Sequence, residues 1–182
     1  MSRINIPTIE QSLEPTKPLL AAVQQQLGIV PNLMKLVGHS PAALEGYLSL
    51  NGALAKGKLN VQLRESIALT VAEYNGCDYC LSAHDYLARN VAKIGNDDIE
   101  AARVGRSHEP RADAALHFAH RVAATRGHVA DSDLATLRAA GFDDASIIEI
   151  VVTVALNVLT NYVNNVAQTD IDFPQVRARI AA

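Results

Sequence analysis

Apolar residues recur along this chain at steps of three and four almost everywhere, and no run alternates with the period of two that a half-buried strand needs. The pattern predicts helices from end to end. Thr16 reads as an N-cap, with Pro18 early in a helix that reaches Gln26 or Leu27 and stops at Gly28. The turn Gly28-Ile29-Val30-Pro31-Asn32 leads into a short helix over 33–37. Ser40-Pro41 opens the next helix by the same cap-then-proline device, and it ends near Ala55, before Lys56-Gly57-Lys58. Asn60 caps a helix over 61–74 whose apolar face carries Leu63, Ile67, Leu69, Val71 and Ala72, and Asn75-Gly76 is its stop signal. A new helix starts at Cys77 or Asp78 and continues through Ala92. Three more are expected over 96–104, 111–126 and 132–140, the last closed by Gly141. A long helix from about Asp144 to Val166 follows, and Phe173-Pro174 opens a short tail.

The pattern reads as a single all-α domain over 1–182. It comprises an N-terminal helical extension (1–57), a helix pair (58–95) and a set of C-terminal helices (96–182). A shift of 84 residues lays Leu63-Arg64-Glu65 on Ile147-Ile148-Glu149 and one apolar helix on the other, an echo compatible with a duplicated helical unit. Asn161 and Asn164 then fall where Cys77 and Cys80 stand. Asn157, Asn161, Asn164 and Gln168 form a polar stripe on the last long helix. Buried amides need hydrogen-bond partners, so the stripe either lines a pocket or bonds to neighbouring helix ends or a second subunit.

Composition narrows the classes. Charged residues make up 19% of the chain with a net charge of −3, and no basic cluster exceeds two adjacent cations, so nucleic acid and anionic membranes have no electrostatic footprint. Aromatic content is low and tryptophan is absent, which argues against a base-stacking platform. The N-terminus lacks the apolar run of a signal peptide, and the stretch 147–159 is interrupted by Glu149, Thr153 and Asn157 and is short for a membrane span. A cytoplasmic location is the expectation. In that reducing setting, a close cysteine pair points to catalysis or metal binding before structural stapling.

Both cysteines of the chain lie in one motif, Cys77-Asp78-Tyr79-Cys80, with His84 four residues further on. If Asn75-Gly76 ends one helix, the thiols occupy the first turn of the next, where free N–H groups and the helix dipole favour a thiolate. Cys80 and His84, at i and i+4, share a face, so the imidazole can exchange a proton with the nearer thiol. Cys77 is close enough to bridge to Cys80 where the backbone permits. A carboxylate is needed to orient the histidine, and there are two candidates: Glu65, twelve residues before Cys77, and Glu73, one turn before it. The bland alternatives are a solvated helix charge for Glu65 and a solvent-capped edge residue for Glu73.

Arg64-Glu65, the apolar run to Asn75-Gly76-Cys77-Asp78-Tyr79-Cys80, and then Ala83-His84 resemble the AhpD-like alkylhydroperoxidases of the carboxymuconolactone decarboxylase-like superfamily. The matching block covers roughly 63–88. The turn at 28–32 and the helix from Pro41 are similar to the longer, peroxidase-related members. The resemblance implies an all-helical, homo-oligomeric thiol peroxidase or disulfide reductase, a trimer or a hexamer, with no cofactor and no metal. It implies that Glu65 and His84 form a proton relay and that Cys80 meets a peroxide or organic hydroperoxide. Cys77 would then resolve the sulfenic acid as a Cys77–Cys80 disulfide, which an external dithiol reduces. The best-studied members carry an additional histidine just before the second cysteine. Tyr79 stands there in this chain, either offering a hydroxyl near the thiols or packing, so the full relay and a lipoyl-domain reductant are not carried over.

Other readings of the same residues remain. Cys77, Cys80 and His84 with His117 and His120 supply metal-ligand types, but the gap between the halves is long for zinc. Lactone decarboxylation in the same superfamily uses no cysteine pair. A redox-sensing interaction module without turnover is the non-enzymatic alternative. His39, His108 and His128 sit beside turn signals and read as surface residues.

Overall fold

The computed structural model describes residues 2–179. A 3-10 turn over Glu14–Thr16 leads into α1 (Lys17–Leu27), α2 (Asn32–Val37), α3 (Pro41–Leu54), α4 (Val61–Tyr74) and α5 (Asp78–Asn90). Next come α6 (Asn96–Arg103), α7 (Pro110–Thr125), α8 (Asp131–Ala139) and α9 (Asp144–Ala167), and there is no strand among the described residues. The predicted caps explain most boundaries. Ser40 accepts from the Ala43 N–H, Asn60 accepts from the Leu63 N–H, and Gly28 ends α1 at a φ of +76°, which a side chain would resist. Thr16 is the exception. It is fully buried and donates its hydroxyl to the Gly38 carbonyl at 2.8 Å, tying the start of α1 to the end of α2 instead of capping its own helix.

α4 is the central element. Every residue from Ile67 to Glu73 is buried, so this helix has no solvent face over two turns. α5, α6, α7 and α9 surround it. α9 runs parallel to α4: Glu149 near its start accepts from the Lys58 and Leu59 N–H groups ahead of α4, and Asn161 meets Asn75 at the far end. One core cluster joins Leu20 and Leu44 of the first segment, Ile67 and Leu81 of the second, and Leu116 and Ile150 of the third. The echo between halves does not extend to the break in the chain: α4 stops at Tyr74, whereas α9 continues unbroken to Ala167.

α9 spans 24 residues and is, by length and composition alone, long and apolar enough to cross a bilayer, a stretch longer than the segment 147–159. Half of that stretch is buried inside the protein. Its outer side exposes Ile148, Leu159, Tyr162 and Val166, which recur at helical spacing as one apolar stripe.

After α9 the chain lies along α5 as an extended strap over 170–179. The hydroxyl of Ser82 accepts from the Val176 N–H, and Asp78 accepts from the Ala178 N–H at 2.8 Å. Phe173 stands edge-on to Tyr79.

Candidate active site

Asn75 and Gly76, the latter at a φ of +61°, turn the chain sharply between α4 and α5 and set Cys77 at the N-cap of α5. Its sulfur accepts from the Cys80 N–H at 3.2 Å, the first-turn contact expected of a group that can carry negative charge at a helix start. Cys77 and Cys80 form a disulfide, and both are almost fully buried. His84 follows one turn later on the same face. Its Nδ1 lies 2.8 Å from the Glu65 carboxylate of α4, with both side chains about four-fifths buried. Among the described residues this is the one side-chain hydrogen bond of His84.

The choice between the two carboxylates is thus made by packing. Glu65 holds His84. Glu73 is buried on another side of α4, where it accepts from Arg103 Nε at 2.7 Å and from the Arg179 N–H at 2.6 Å. It is neither a partner of His84 nor a solvent-capped edge residue. Arg103 in turn donates to the Arg177 carbonyl, so this pair fastens the strap to the core.

Beside the Glu65–His84 pair lies a cavity of about 60 Å³ lined by Tyr47, Asn51, Arg64, Glu65, His84 and Asn157, among others. The volume has room for a few waters or the head of a small hydroperoxide. Burial, with the Glu65 carboxylate adding to it, pushes the Tyr47 phenol up to about 12, so it stays a neutral donor over the physiological range. Thr160 of α9 also lines the cavity, and one turn beyond it Asn164 donates to Cys80 Sγ at 3.3 Å. α9 thus carries Thr160 at the cavity and, one turn further on, Asn164 against the buried Cys80.

Tyr79 turns to the C-terminal strap and is not among the residues lining the cavity. Its hydroxyl donates to Asp172 of the strap at 2.8 Å and accepts from the Leu33 N–H at 3.0 Å. Burial pushes its phenol far above the ordinary value. Tyr79 therefore anchors the tail, and its hydroxyl is committed away from the thiols. The polar stripe divides its work: Asn157 lines the cavity, Asn161 bonds Asn75, Asn164 meets Cys80, and Gln168 is the exposed C-cap of α9. The contact of Asn164 with Cys80 and the cavity roles of Tyr47 and Asn51 go beyond the sequence reading. The stripe of amides on an apolar helix is a signal for Asn164, and the sequence holds none for Tyr47 or Asn51.

His117 is exposed, and His120 stacks edge-on against Tyr74 at 5.3 Å. Among the described residues, no group of three or more His, Cys, Asp or Glu side chains is arranged to hold a metal ion. His39, His108 and His128 are all exposed.

The site is thus a buried Cys-x-x-Cys bridge at a helix start, with a carboxylate-held imidazole one turn away, in an all-helical protein. Residues 41–121 match the carboxymuconolactone decarboxylase family. Among solved structures, the chain is similar to an alkylhydroperoxidase AhpD core, an uncharacterized peroxidase-related protein from Ralstonia eutropha JMP134, with 26% identity over 94% of this chain and 92% of that one at a TM-score of 0.84. A peroxidase-related protein from Silicibacter sp. TM1040 shares the fold at 24% identity, 93% and 91% coverage, and a TM-score of 0.81. The debrominase Bmp8 in complex with 2,3,4-tribromopyrrole shares it at 21% identity, 92% and 93% coverage, and a TM-score of 0.75. No curated protein matches the chain. Over residues 41–121 the chain is thus similar to the carboxymuconolactone decarboxylase family, and its helices have the AhpD-like fold.

Proposed function

We propose that the protein is a thiol-dependent peroxidase that reduces hydrogen peroxide or a small organic hydroperoxide through Cys80 and Cys77. The observation that carries the reading is the 2.8 Å Glu65–His84 hydrogen bond, one helical turn from the buried Cys77–Cys80 bridge and open to a cavity. Glu65 fixes the ring through Nδ1, which leaves Nε2 as the working nitrogen. In the reduced enzyme, His84 takes the proton of Cys80. The thiolate attacks the nearer peroxide oxygen, the O–O bond breaks, and the leaving alkoxide takes the proton back from His84 as an alcohol. Cys80 is left as a sulfenic acid. The Cys77 sulfur then attacks Cys80, the S–S bond forms, and the oxygen leaves as water. An external dithiol supplies two electrons to reopen the bridge and is itself oxidised to a disulfide.

Reduction by cellular dithiols fits a cytoplasmic setting. The exposed stripe of Ile148, Leu159, Tyr162 and Val166 supports a homo-oligomer, because a contiguous apolar face of this kind is uncommon on a monomer. Disulfide reduction of a partner protein uses the same sulfurs, and the similarity of the fold to peroxidase-related proteins favours peroxide as the oxidant.

Mass spectrometry of the peptide holding Cys77 and Cys80, before and after stoichiometric hydroperoxide, tests the cycle. The reduced pair is expected to convert to the bridge. Cys80→Ser abolishes turnover, and Cys77→Ser leaves a sulfenic acid on Cys80 that dimedone traps. Full peroxidase activity in Cys80→Ser would remove the assignment.

A further inference from the structure

Each sulfur of the pair has one N–H donor, and the two donors differ in kind. Cys77 Sγ accepts from the backbone N–H of Cys80, a main-chain donor. Cys80 Sγ accepts from a side chain, Asn164 Nδ2 of α9, at 3.3 Å. The orientation of this amide is set by its other contact: Nδ2 also donates to the Thr160 carbonyl at 3.0 Å, and a carbonyl can only accept. Asn164 and Cys80 are each 3% exposed, so water does not dilute the contact. The amide Oδ1 of Asn164 is buried and has no hydrogen-bond partner among the described residues.

We propose that Asn164 is a catalytic residue whose amide is complementary to the reduced pair. Nδ2 donates to the Cys80 thiolate that reduction creates. The inference deepens the peroxidase reading and rests on Cys77 and Cys80 being redox-active. A disulfide sulfur is a weak, neutral acceptor, and a thiolate is a charged one, so the Nδ2 contact strengthens when the bridge opens. The amide donor therefore favours the reduced form. The step balances: the bridge and an external dithiol give a Cys80 thiolate, a Cys77 thiol, one released proton and the oxidised donor.

The amide is held rigidly for this task. Asn75, at the break between α4 and α5, donates to Asn161 Oδ1 at 2.9 Å, and its own carbonyl accepts from Asn165 at 2.9 Å. These two ties fix α9 against the cysteine turn on either side of Asn164, so the donor is in place before charge develops.

The test compares Asn164→Leu, which keeps volume, with Asn164→Ala, which adds no bulk. Each is placed in a Cys77→Ser background, reduced chemically, and alkylated with iodoacetamide across pH. Loss of the donor is expected to raise the apparent pKa of Cys80 by about one unit, roughly tenfold less thiolate at neutral pH. The same variants in a Cys80→Ser background should leave Cys77 where it was. With both cysteines present, a glutathione titration should move to a more negative potential by about 30 mV for each tenfold change in the equilibrium. An unchanged Cys80 pKa in both variants, or an equal shift at both cysteines, overturns the proposal. A wild-type pair that hydroperoxide never oxidises defeats the peroxidase reading instead, since the alkylation arm needs no turnover.

Discussion

Glu65 and Glu73 sit eight residues apart on the same helix, both turned inward, and they do opposite things. Glu65 meets an imidazole at the edge of a cavity. Glu73 meets a guanidinium in a dry interior and accepts a backbone N–H as well. The guanidinium has donors only, so the Glu73–Arg103 pair holds the strap and the core together. An imidazole nitrogen can donate or accept, so the Glu65–His84 pair is the one the proposed cycle uses to move a proton. The residue type at the two positions is identical. Partner and access separate a chemical carboxylate from a structural one.

The comparison predicts a clean exchange of phenotypes. Glu65→Gln keeps the shape and a hydrogen-bond acceptor but removes the charge that orients His84 and supports its imidazolium. Peroxide turnover should fall by about 10²- to 10³-fold, the range expected for a disabled general acid–base. The melting temperature should stay within a few degrees, because side chains lining a small wet cavity are not the core. Steady-state rates with cumene hydroperoxide alongside a thermal melt measure both. A Glu65→Gln enzyme with near wild-type turnover would mean that His84 works unaided.

Glu73→Ala should show the reverse. Removing one partner of a buried ion pair strands the other, typically at 3–5 kcal/mol. The lower end, about 3 kcal/mol, is expected, because Arg103 keeps the Arg177 carbonyl and a longer contact with Glu100. For a chain of this size that is a fall in melting temperature of roughly 6–12 °C. Turnover per folded molecule should stay within about twofold at 25 °C. A rate loss with unchanged melting would place Glu73 in the chemistry after all.

Most helix ends are legible in the sequence because their determinants are local. Ser40, Asn60 and Gly76 act within three residues of themselves, and a single chain records that faithfully. The Cys80–His84 face is legible for the same reason. The choice between Glu65 and Glu73 is not, because it depends on Arg103, thirty residues away on α6, arriving at one side of α4. Thr16 has the residue type of a cap and the position of one, yet the Gly38 carbonyl offers its hydroxyl a buried partner and wins. The amide stripe on α9 marks itself as needing partners, but its contact with Cys80 joins residues 84 apart and follows only from the parallel packing of α9 beside α4 and α5.

Tyr79 provides the smallest and sharpest test of the division between chemical and structural groups. It lies inside the Cys-x-x-Cys motif, next to Cys80 in sequence, where a hydroxyl in the site would be expected to act. On a helix, however, adjacent residues point about 100° apart, and Tyr79 is turned from Cys80 toward Ser82, which with Asp78 is bonded to the strap. Tyr79→Phe removes a hydrogen bond to Asp172 and leaves the buried Leu33 N–H without its acceptor. The expected loss is about 2 kcal/mol, or roughly 4–8 °C in melting temperature. Hydrogen exchange should quicken over 170–179 while turnover of the folded enzyme and the pH profile of Cys80 alkylation stay put. A shifted alkylation profile with the strap still protected would bring the phenol into the thiol chemistry and erase the separation between the two faces of α5.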